Sequence, residues 1–148
     1  MTDQSKTFIE QIQTARHEGY TLNIQGGNTK SFLGRKTDGS NHVLDTANHS
    51  GILTYEPVEL VMQARAGTPI IDIENALSEH GQCLSSEPAS FNGRASIGGT
   101  LACNLSGPSR PFAGSLRDHV LGVSLINGLG QHLKFGGQVM KNVAGYDV

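Results

Sequence analysis

Two glycine-rich stretches contain the residue types that could bind a charged ligand. The first is Gly26-Gly27-Asn28-Thr29-Lys30-Ser31, which follows a strand-like segment and includes one lysine. Such a turn exposes backbone N–H groups with no Cβ in the way, a pattern typical of phosphate-binding loops. An ordinary hairpin turn or strand-to-helix turn uses the same residue types, so this stretch alone leaves both interpretations open.

The second stretch, Ala95–Asp118, is built mostly from small residues and contains the pair Gly98-Gly99. Ser96 predicts the N-cap of a short helix over about 97–105, and Gly107-Pro108 predicts its end. The start of such a helix directs free N–H groups and a partial positive charge outward, which favours a bound phosphate. A tightly packed helix entry without a ligand explains the same pattern equally well.

Two sharper nucleotide-binding motifs are excluded by single residues. A Walker A loop requires glycine where Thr29 precedes Lys30-Ser31. A Rossmann fingerprint begins at Gly128-Leu129-Gly130, but Leu133 occupies the position of its third glycine. The sequence therefore predicts neither a P-loop NTPase nor a Rossmann dehydrogenase.

Helical periodicity and turn residues predict the elements that position these stretches. A first helix is expected over 5–18, with Ser5 as N-cap and Gly19 as its stop, and Phe8, Ile12 and Ala15 on one face. A second begins with Thr68 as cap and Pro69 at its first position, and stops at Gly81. Strands are expected over 20–25, 41–45, 51–55, 120–126 and 131–135, with the last two forming a hairpin through Asn127-Gly128. Residues 58–66 fit a strand or a short helix, and 85–92 fit a loop, so the fold class is mixed α and β with an antiparallel part.

Composition excludes several function classes. The chain has 148 residues and a net charge of −2, with lysine and arginine scattered, so it lacks the basic surface of a nucleic-acid-binding protein. No apolar run approaches the roughly 20 residues of a membrane helix, and the polar N-terminal residues are unlike a signal peptide. Cys83 and Cys103 form no CxxC motif, which favours a reducing compartment, so a cytoplasmic location is expected. The histidines show no metal-ligand spacing, so we expect them to be surface or structural residues and expect no metal site.

Four blocks taken together resemble one family. They are GGNTKSFLGR, AGTPIIDIENAL, SIGGTLACNLSGPSRPFAGSLRDHVLGVSLING and GGQVMKNVAGYDV, and they cover nearly the whole chain. The chain resembles the flavin domain of vanillyl-alcohol-oxidase-type (PCMH-type) FAD proteins, and most of all the FAD-binding subunits of bacterial glycolate oxidases. The resemblance implies an α+β fold of two small α/β subdomains that clasp FAD. It also implies that residues 1–148 form an incomplete domain, which lacks a final helix and strand and a substrate-binding cap domain.

The resemblance also implies which residues contact the cofactor. The first loop would wrap the pyrophosphate, the second stretch would continue towards the flavin ring, and a C-terminal block would lie near the isoalloxazine. The residues so assigned are Gly26, Gly27, Asn28, Thr29, Lys30, Ile97, Gly98, Gly99, Thr100, Asn104, Ser106, Gly107, Arg110, Gly114, Ser115, Asp118, Lys141, Asn142, Tyr146 and Asp147. Some family members tether FAD through a histidine in the first loop, and its absence here implies non-covalent FAD.

The implied function is oxidation of a 2-hydroxy acid such as glycolate. In the family, FAD accepts hydride from the substrate, and electrons pass to partner subunits, one a catalytic flavin subunit and one an iron–sulfur subunit, towards a membrane quinone. No residue of this chain is assigned as a general base, and neither nucleic acid nor a direct membrane span is expected. Two alternatives stay open: another FAD-linked dehydrogenase, of the D-lactate type, or a truncated non-catalytic module that retains no flavin.

Overall fold

The structure, a computed structural model, describes residues 3–35 and 42–137, and in these ranges helices and short strands alternate. The helices are α1 (Ser5–Glu18), α2 (Ile70–Ser78), α3 (Ile97–Cys103) and α4 (Arg110–Ala113), with a 3₁₀ helix over Leu116–His119. The strands are β1 (Asn23–Gln25), β2 (Val43–Asp45), β3 (Ile52–Glu56), β4 (Val61–Ala64), β5 (Gly122–Ile126) and β6 (His132–Gly136). The predicted α+β class is confirmed. None of the described helices is long and apolar enough to cross a membrane.

The strands form three two-stranded sheets. β1 pairs with β2 in parallel, whereas β3–β4 and β5–β6 are antiparallel. The predicted hairpin is confirmed, because the Asn127 N–H donates to the Gln131 carbonyl at 3.0 Å and joins β5 to β6. The region 58–66, which the pattern left undecided, contains strand β4. The strands predicted over 20–25 and 41–45 are shorter, each with three residues in the ladder.

The first two helices are placed well by periodicity, but the N-caps of both and the end of the second differ from the prediction. α1 has the predicted bounds and ends at Gly19, whose φ is 76°. Its N-cap is Gln4 rather than Ser5, and the Asp3 carboxylate accepts the Ser5 N–H at 2.9 Å. α2 begins one residue later than predicted, at Ile70, and it ends at Ser78, three residues before Gly81.

Thr68 does not cap α2 because its hydroxyl is used elsewhere. Its Oγ1 accepts the Gly51 N–H at 2.9 Å and donates to the Arg65 carbonyl at 2.7 Å. The side chain is 1% exposed. A buried hydroxyl with two partners is satisfied, so Thr68 ties the entry of α2 to the loop before β3 instead of serving as a cap.

The prediction for α3 is correct at its start and wrong at its end. Ser96 is the N-cap, and its Oγ accepts the Gly99 N–H at 3.3 Å. The helix ends at Cys103 because Asn104 adopts a left-handed conformation with φ of 46°. Asparagine tolerates this conformation better than most residues. The helix therefore stops before Gly107-Pro108 is reached.

The core has an apolar part, mainly on α1, β2 and α2, and a polar part, mainly on the loops and α3. Phe8 of α1, Leu44 of β2 and the face of α2 formed by Ile70, Ile73 and Leu77 are buried. The buried polar residues belong to the loops and the small-residue helix, and they are Thr68, Ser86, Ser96, Thr100 and Ser115. Small polar side chains at these positions let loops approach closely while hydrogen bonds satisfy their hydroxyls.

Gly67 lies where two loops are in direct backbone contact. Its N–H donates to the His49 carbonyl at 2.9 Å. A Cβ at this position would overlap the carbonyl oxygen of Thr46 and would lie 2.8 Å from the carbonyl oxygens of Ala47 and His49. The obstacle is backbone on every side, so no side-chain rotation can make room.

We therefore expect Gly67→Ala to destabilise the protein by about 3 kcal/mol or more, or to prevent folding, because the overlap forces two loops apart. Gly128→Ala is the matched control, since nothing lies within 4 Å of a Cβ there. The control should change the free energy of unfolding by no more than about 0.5 kcal/mol. Denaturant unfolding of the purified full-length protein measures both, and equal stability of the two variants would contradict this packing account.

Candidate functional site

The structure brings the first glycine loop, residues 26–31, against the start of the second stretch. A Cβ at Gly27 would overlap the carbonyl oxygen of Arg94, and one at Gly26 would lie 2.9 Å from the Ser96 Oγ. Lys30 at the end of the loop reaches Thr100 of α3. Two blocks that are some 70 residues apart in sequence therefore meet at backbone contact distance.

The first glycine loop keeps free hydrogen-bond donors. The N–H groups of Gly27, Asn28 and Thr29 donate to no acceptor among residues 3–35 and 42–137. Asn28 has a φ of 49°, a conformation that breaks the strand direction after β1. Consecutive N–H groups in a turn of this kind can bind an anion such as a phosphate.

The start of α3 does not offer free donors, so of the two interpretations that the sequence left open, the structure agrees with the tightly packed helix entry. The Ile97 N–H donates to the Thr68 carbonyl at 2.9 Å, and the Gly98 N–H donates to the Ala66 carbonyl at 2.8 Å. The next donor, the Gly99 N–H, is taken by the Ser96 side chain. The first turn of α3 is thus hydrogen-bonded to protein and cannot bind a phosphate through these three groups.

Glycine is required at position 98 because Ala66 lies directly against it. A Cβ at this position would lie 2.6 Å from the Cβ of Ala66 and 2.8 Å from its carbonyl oxygen. The bridge between Pro69 and Ser96 continues the same contact. The small-residue character of this part of the second stretch is therefore explained by packing of α3 on residues 66–69.

Lys30 is a partly buried cation whose described partners are all neutral. Its Nζ donates to the Thr100 Oγ1 at 3.2 Å and lies 5.1 Å from the centroid of the Phe91 ring. Thr100 is fully buried and donates to the Ser96 carbonyl at 2.8 Å. Burial lowers the pKa of the Lys30 ammonium, because desolvation disfavours the charged form. No carboxylate of the described residues forms an ion pair with it.

Among residues 104–107, the predicted cofactor residues Ser106 and Gly107 form hydrogen bonds to other segments of the protein. The Ser106 hydroxyl accepts the Leu116 N–H at 2.9 Å. The Gly107 N–H donates to the Ser86 carbonyl at 2.8 Å, and a Cβ at Gly107 would overlap the carbonyl oxygen of Glu87. These contacts join the segment after α3 to the loop at 86–87 and to the start of the 3₁₀ helix, whereas Arg110 on α4 is exposed.

Ser115 and Asp118 form a reciprocal cap at the 3₁₀ helix. The Asp118 carboxylate accepts the Ser115 N–H at 2.7 Å and its hydroxyl at 2.8 Å. These two hydrogen bonds hold the pKa of the Asp118 carboxyl below its usual value. Gly114 precedes the cap with a φ of 83°, which suits glycine.

Two residues that no sequence motif marks contact the first glycine loop. Phe91 faces the Lys30 ammonium, and Arg94 supplies the carbonyl against Gly27. Asn92-Gly93 is a turn signal, yet it does not reveal that Phe91 also adopts a positive φ, of 47°. Four of the predicted cofactor residues, Lys141, Asn142, Tyr146 and Asp147, lie outside the described residues.

His49 and His119 both have structural contacts. The His49 Nδ1 accepts the Gln4 N–H at 3.1 Å, and its ring meets Phe8 edge-on. Burial lowers the pKa of His49, which favours the neutral ring that this contact requires. The His119 Nε2 lies 2.8 Å from the Ala113 carbonyl oxygen. Within the described ranges no three His, Cys, Asp or Glu side chains are placed to hold a metal ion.

Comparison with known proteins assigns this arrangement to a family. The family model described as "FAD binding domain" matches residues 3–136. The match includes both glycine stretches and the loop that contains Phe91.

Several curated proteins are similar to the chain. The glycolate oxidase subunit GlcE of Escherichia coli is 51% identical over 99% of this chain and 41% of its own length. A D-2-hydroxyglutarate dehydrogenase of Xanthomonas citri is 27% identical over 94% of this chain and 30% of its own length. D-lactate dehydrogenase [cytochrome] 1 of Saccharomyces cerevisiae is 24% identical over 67% of this chain and 16% of its own length. The chain thus spans about two fifths or less of these relatives.

The cap formed by Ser115 and Asp118 gives a pH-dependent prediction. The folded-state pKa of Asp118 lies below its unfolded value of about 4, so the cap stabilises the protein above that pH and the stabilisation is lost as the pH falls through the folded-state value. Asp118→Asn should lower Tm at pH 7, and the difference from wild type should shrink towards pH 3. Thermal unfolding across this range measures it.

Asp72→Asn is the control for this measurement. Asp72 is an exposed carboxylate in the first turn of α2, and its side chain has no hydrogen-bond partner among the described residues. Its replacement should leave most of the pH dependence in place. A Tm difference for Asp118→Asn that stays constant from pH 7 to pH 3 would show that the charged cap contributes nothing.

Proposed function

Because the chain belongs to the FAD binding domain family, we propose that its first glycine loop and Lys30 hold the diphosphate of FAD. The observation that carries this proposal is the pairing of free N–H groups at Gly27, Asn28 and Thr29 with a cation that no described carboxylate neutralises. A diphosphate supplies several acceptor oxygens and negative charge, which match these donors and this cation. The residues present therefore fit the cofactor.

The other predicted cofactor residues divide into two groups. Thr100 accepts a hydrogen bond from Lys30, and Ile97 and Gly98 pack α3 on residues 66–69. We therefore assign these three residues and Gly99 to the shape of the site rather than to donation of hydrogen bonds. The remaining residues stay proposals that rest on the resemblance, and they are Asn104, Ser106, Gly107, Arg110, Gly114, Ser115, Asp118, Lys141, Asn142, Tyr146 and Asp147. We also propose that the α+β domain is divided into two small subdomains with FAD between them.

The proposed activity is oxidation of glycolate or a closely related 2-hydroxy acid. The printed names of the similar proteins refer to glycolate, D-2-hydroxyglutarate and D-lactate, which are all 2-hydroxy acids. The 51% identity to a glycolate oxidase subunit favours glycolate over the other two. Bound FAD would supply the acceptor for the hydride that leaves the substrate carbon. A D-lactate-type dehydrogenase is the second candidate, favoured only by the weaker match.

The proposed setting is a complex of several subunits. The word "subunit" in the name of the Escherichia coli relative supports this. We propose a catalytic flavin subunit and an iron–sulfur subunit as partners, and a cytoplasmic location with contact to the membrane through the complex. Assay of the intact complex with glycolate, D-lactate and D-2-hydroxyglutarate tests the substrate. The largest kcat/KM should be found for glycolate.

FAD should be bound without a covalent bond, because the first glycine loop has Asn28 and Thr29 and no histidine. Purified full-length protein should be yellow, and acid precipitation should release FAD into the supernatant. Flavin that stays with the precipitate would contradict non-covalent binding. Colourless protein that takes up no FAD would instead favour the non-catalytic module.

Lys30→Gln should weaken FAD binding about 10- to 100-fold, because a charge-assisted hydrogen bond to the diphosphate is lost. The affinity should also depend less on ionic strength, since one cation fewer faces the anion. Titration of the flavin-free protein with FAD, followed by flavin fluorescence, measures both effects. Lys134→Gln removes an exposed lysine of β6 and should bind FAD as wild type does. Equal affinity of the two variants would refute the role of Lys30.

A further inference from the structure

We propose that Phe91 is a positioning residue, whose ring holds the Lys30 ammonium at the first glycine loop without neutralising its charge. The inference rests on the proposed function, in which this loop binds the diphosphate of FAD. It adds a specific cause for the placement of the cation.

The geometry places Lys30 between two neutral partners. The Nζ lies 3.2 Å from the Thr100 Oγ1 and 5.1 Å from the centroid of the Phe91 ring. A cation within about 6 Å of a ring centroid is attracted by the negative face of the ring. A carboxylate in place of the ring would hold the ammonium too, but it would cancel the charge that the diphosphate needs. An aromatic face attracts the cation and leaves its full charge available.

The backbone around Phe91 is held in an unfavourable conformation. Phe91, Asn92 and Gly93 have φ values of 47°, 58° and 76° in succession. A left-handed conformation is costly for a residue with a Cβ, and for a bulky aromatic residue it is uncommon. Strain of this kind persists where the surroundings determine it, and it often marks a functional position. Here the turn directs the Phe91 ring to Lys30.

The same turn is tied to the first glycine loop. The Ala95 N–H donates to the Ser90 carbonyl at 3.0 Å and closes the turn, and Ala95 is fully buried. The next carbonyl before it, that of Arg94, is the one against Gly27. Phe91 and the Arg94 carbonyl that contacts Gly27 therefore belong to one short hydrogen-bonded turn. The Phe91 ring also has a neighbour next to the loop. The ring centroid of Phe32, one residue past the loop, lies 6.2 Å from that of Phe91.

The Phe91 ring would favour diphosphate binding because it restricts the Lys30 side chain before the ligand binds. A lysine side chain has many rotamers, and fixing it when the ligand arrives would reduce affinity. Because Phe91 and Thr100 already restrict the ammonium, less freedom is lost when a diphosphate binds. Phe91 therefore acts through Lys30, and its effect must disappear when the charge at position 30 is removed.

The test is a double-mutant cycle on FAD affinity in the purified full-length protein, freed of flavin. Phe91→Leu keeps an unbranched Cβ and an apolar side chain but removes the aromatic face. We expect it to weaken FAD binding about three- to tenfold, and Phe91→Tyr should restore binding to within about twofold of wild type because the ring is kept. In the Lys30→Gln background, Phe91→Leu should cause no further loss. Phe135→Leu, on β6, is the control and should bind as wild type does.

A second variant covers the case in which Phe91→Leu does not fold. Pentafluorophenylalanine at position 91 keeps the shape of the ring and reverses its quadrupole. It should therefore weaken FAD binding when position 30 is lysine, and it should have no effect on FAD binding in the Lys30→Gln variant. Equal losses of FAD affinity in both backgrounds, or no loss in either, would overturn the positioning role of Phe91. The proposed function would stand in that case, provided that the wild-type protein binds FAD. Wild-type protein that binds no FAD at all would overturn the proposed function itself.

Discussion

Direct contact between backbone segments is the constraint on which this structure depends. The first glycine loop lies on Arg94, residues 46–49 lie on Gly67, and Ala66 lies on Gly98. At each contact a Cβ would meet backbone atoms or a Cβ that is fixed to backbone, so the chain cannot relieve the overlap by rotating a side chain. The glycines are therefore required by packing between loops. The buried hydroxyls of Thr68, Ser96 and Thr100 satisfy polar groups in the same region.

This packing leaves the two glycine stretches with different roles. At the start of α3, the first three N–H groups are bonded to protein acceptors, so the helix is a fixed support. In the first glycine loop, the N–H groups of Gly27, Asn28 and Thr29 donate to no acceptor among residues 3–35 and 42–137. The first three N–H groups of α3 are thus occupied, whereas those three of the loop are not occupied by any described residue. An anion is bound at lower entropic cost when its donors are fixed before it arrives.

The sequence predicts the elements whose pattern is local and misses the contacts that are distant in the chain. The bounds of α1, the Ser96 cap and the hairpin through Asn127 follow from periodicity and turn chemistry, and the structure confirms them. The Thr68 cap was wrong because a distant donor, the Gly51 N–H, takes the hydroxyl. Glycine pairs show that something approaches closely, but they cannot distinguish a ligand from the backbone of Ala66. Phe91 was missed for the same reason, since its contact with Lys30 crosses 61 residues.

The relatives match most of this chain although their names refer to different acids. Proteins named for glycolate, D-2-hydroxyglutarate and D-lactate match it over 67% to 99% of its length, so much of the matched sequence is common to all three. The family model that matches residues 3–136 is described by FAD and not by any one acid. The described chemistry agrees, because an ammonium with neutral partners and a row of free N–H groups suit a diphosphate. The first glycine loop, Lys30 and α3 all lie within the residues that the family model matches.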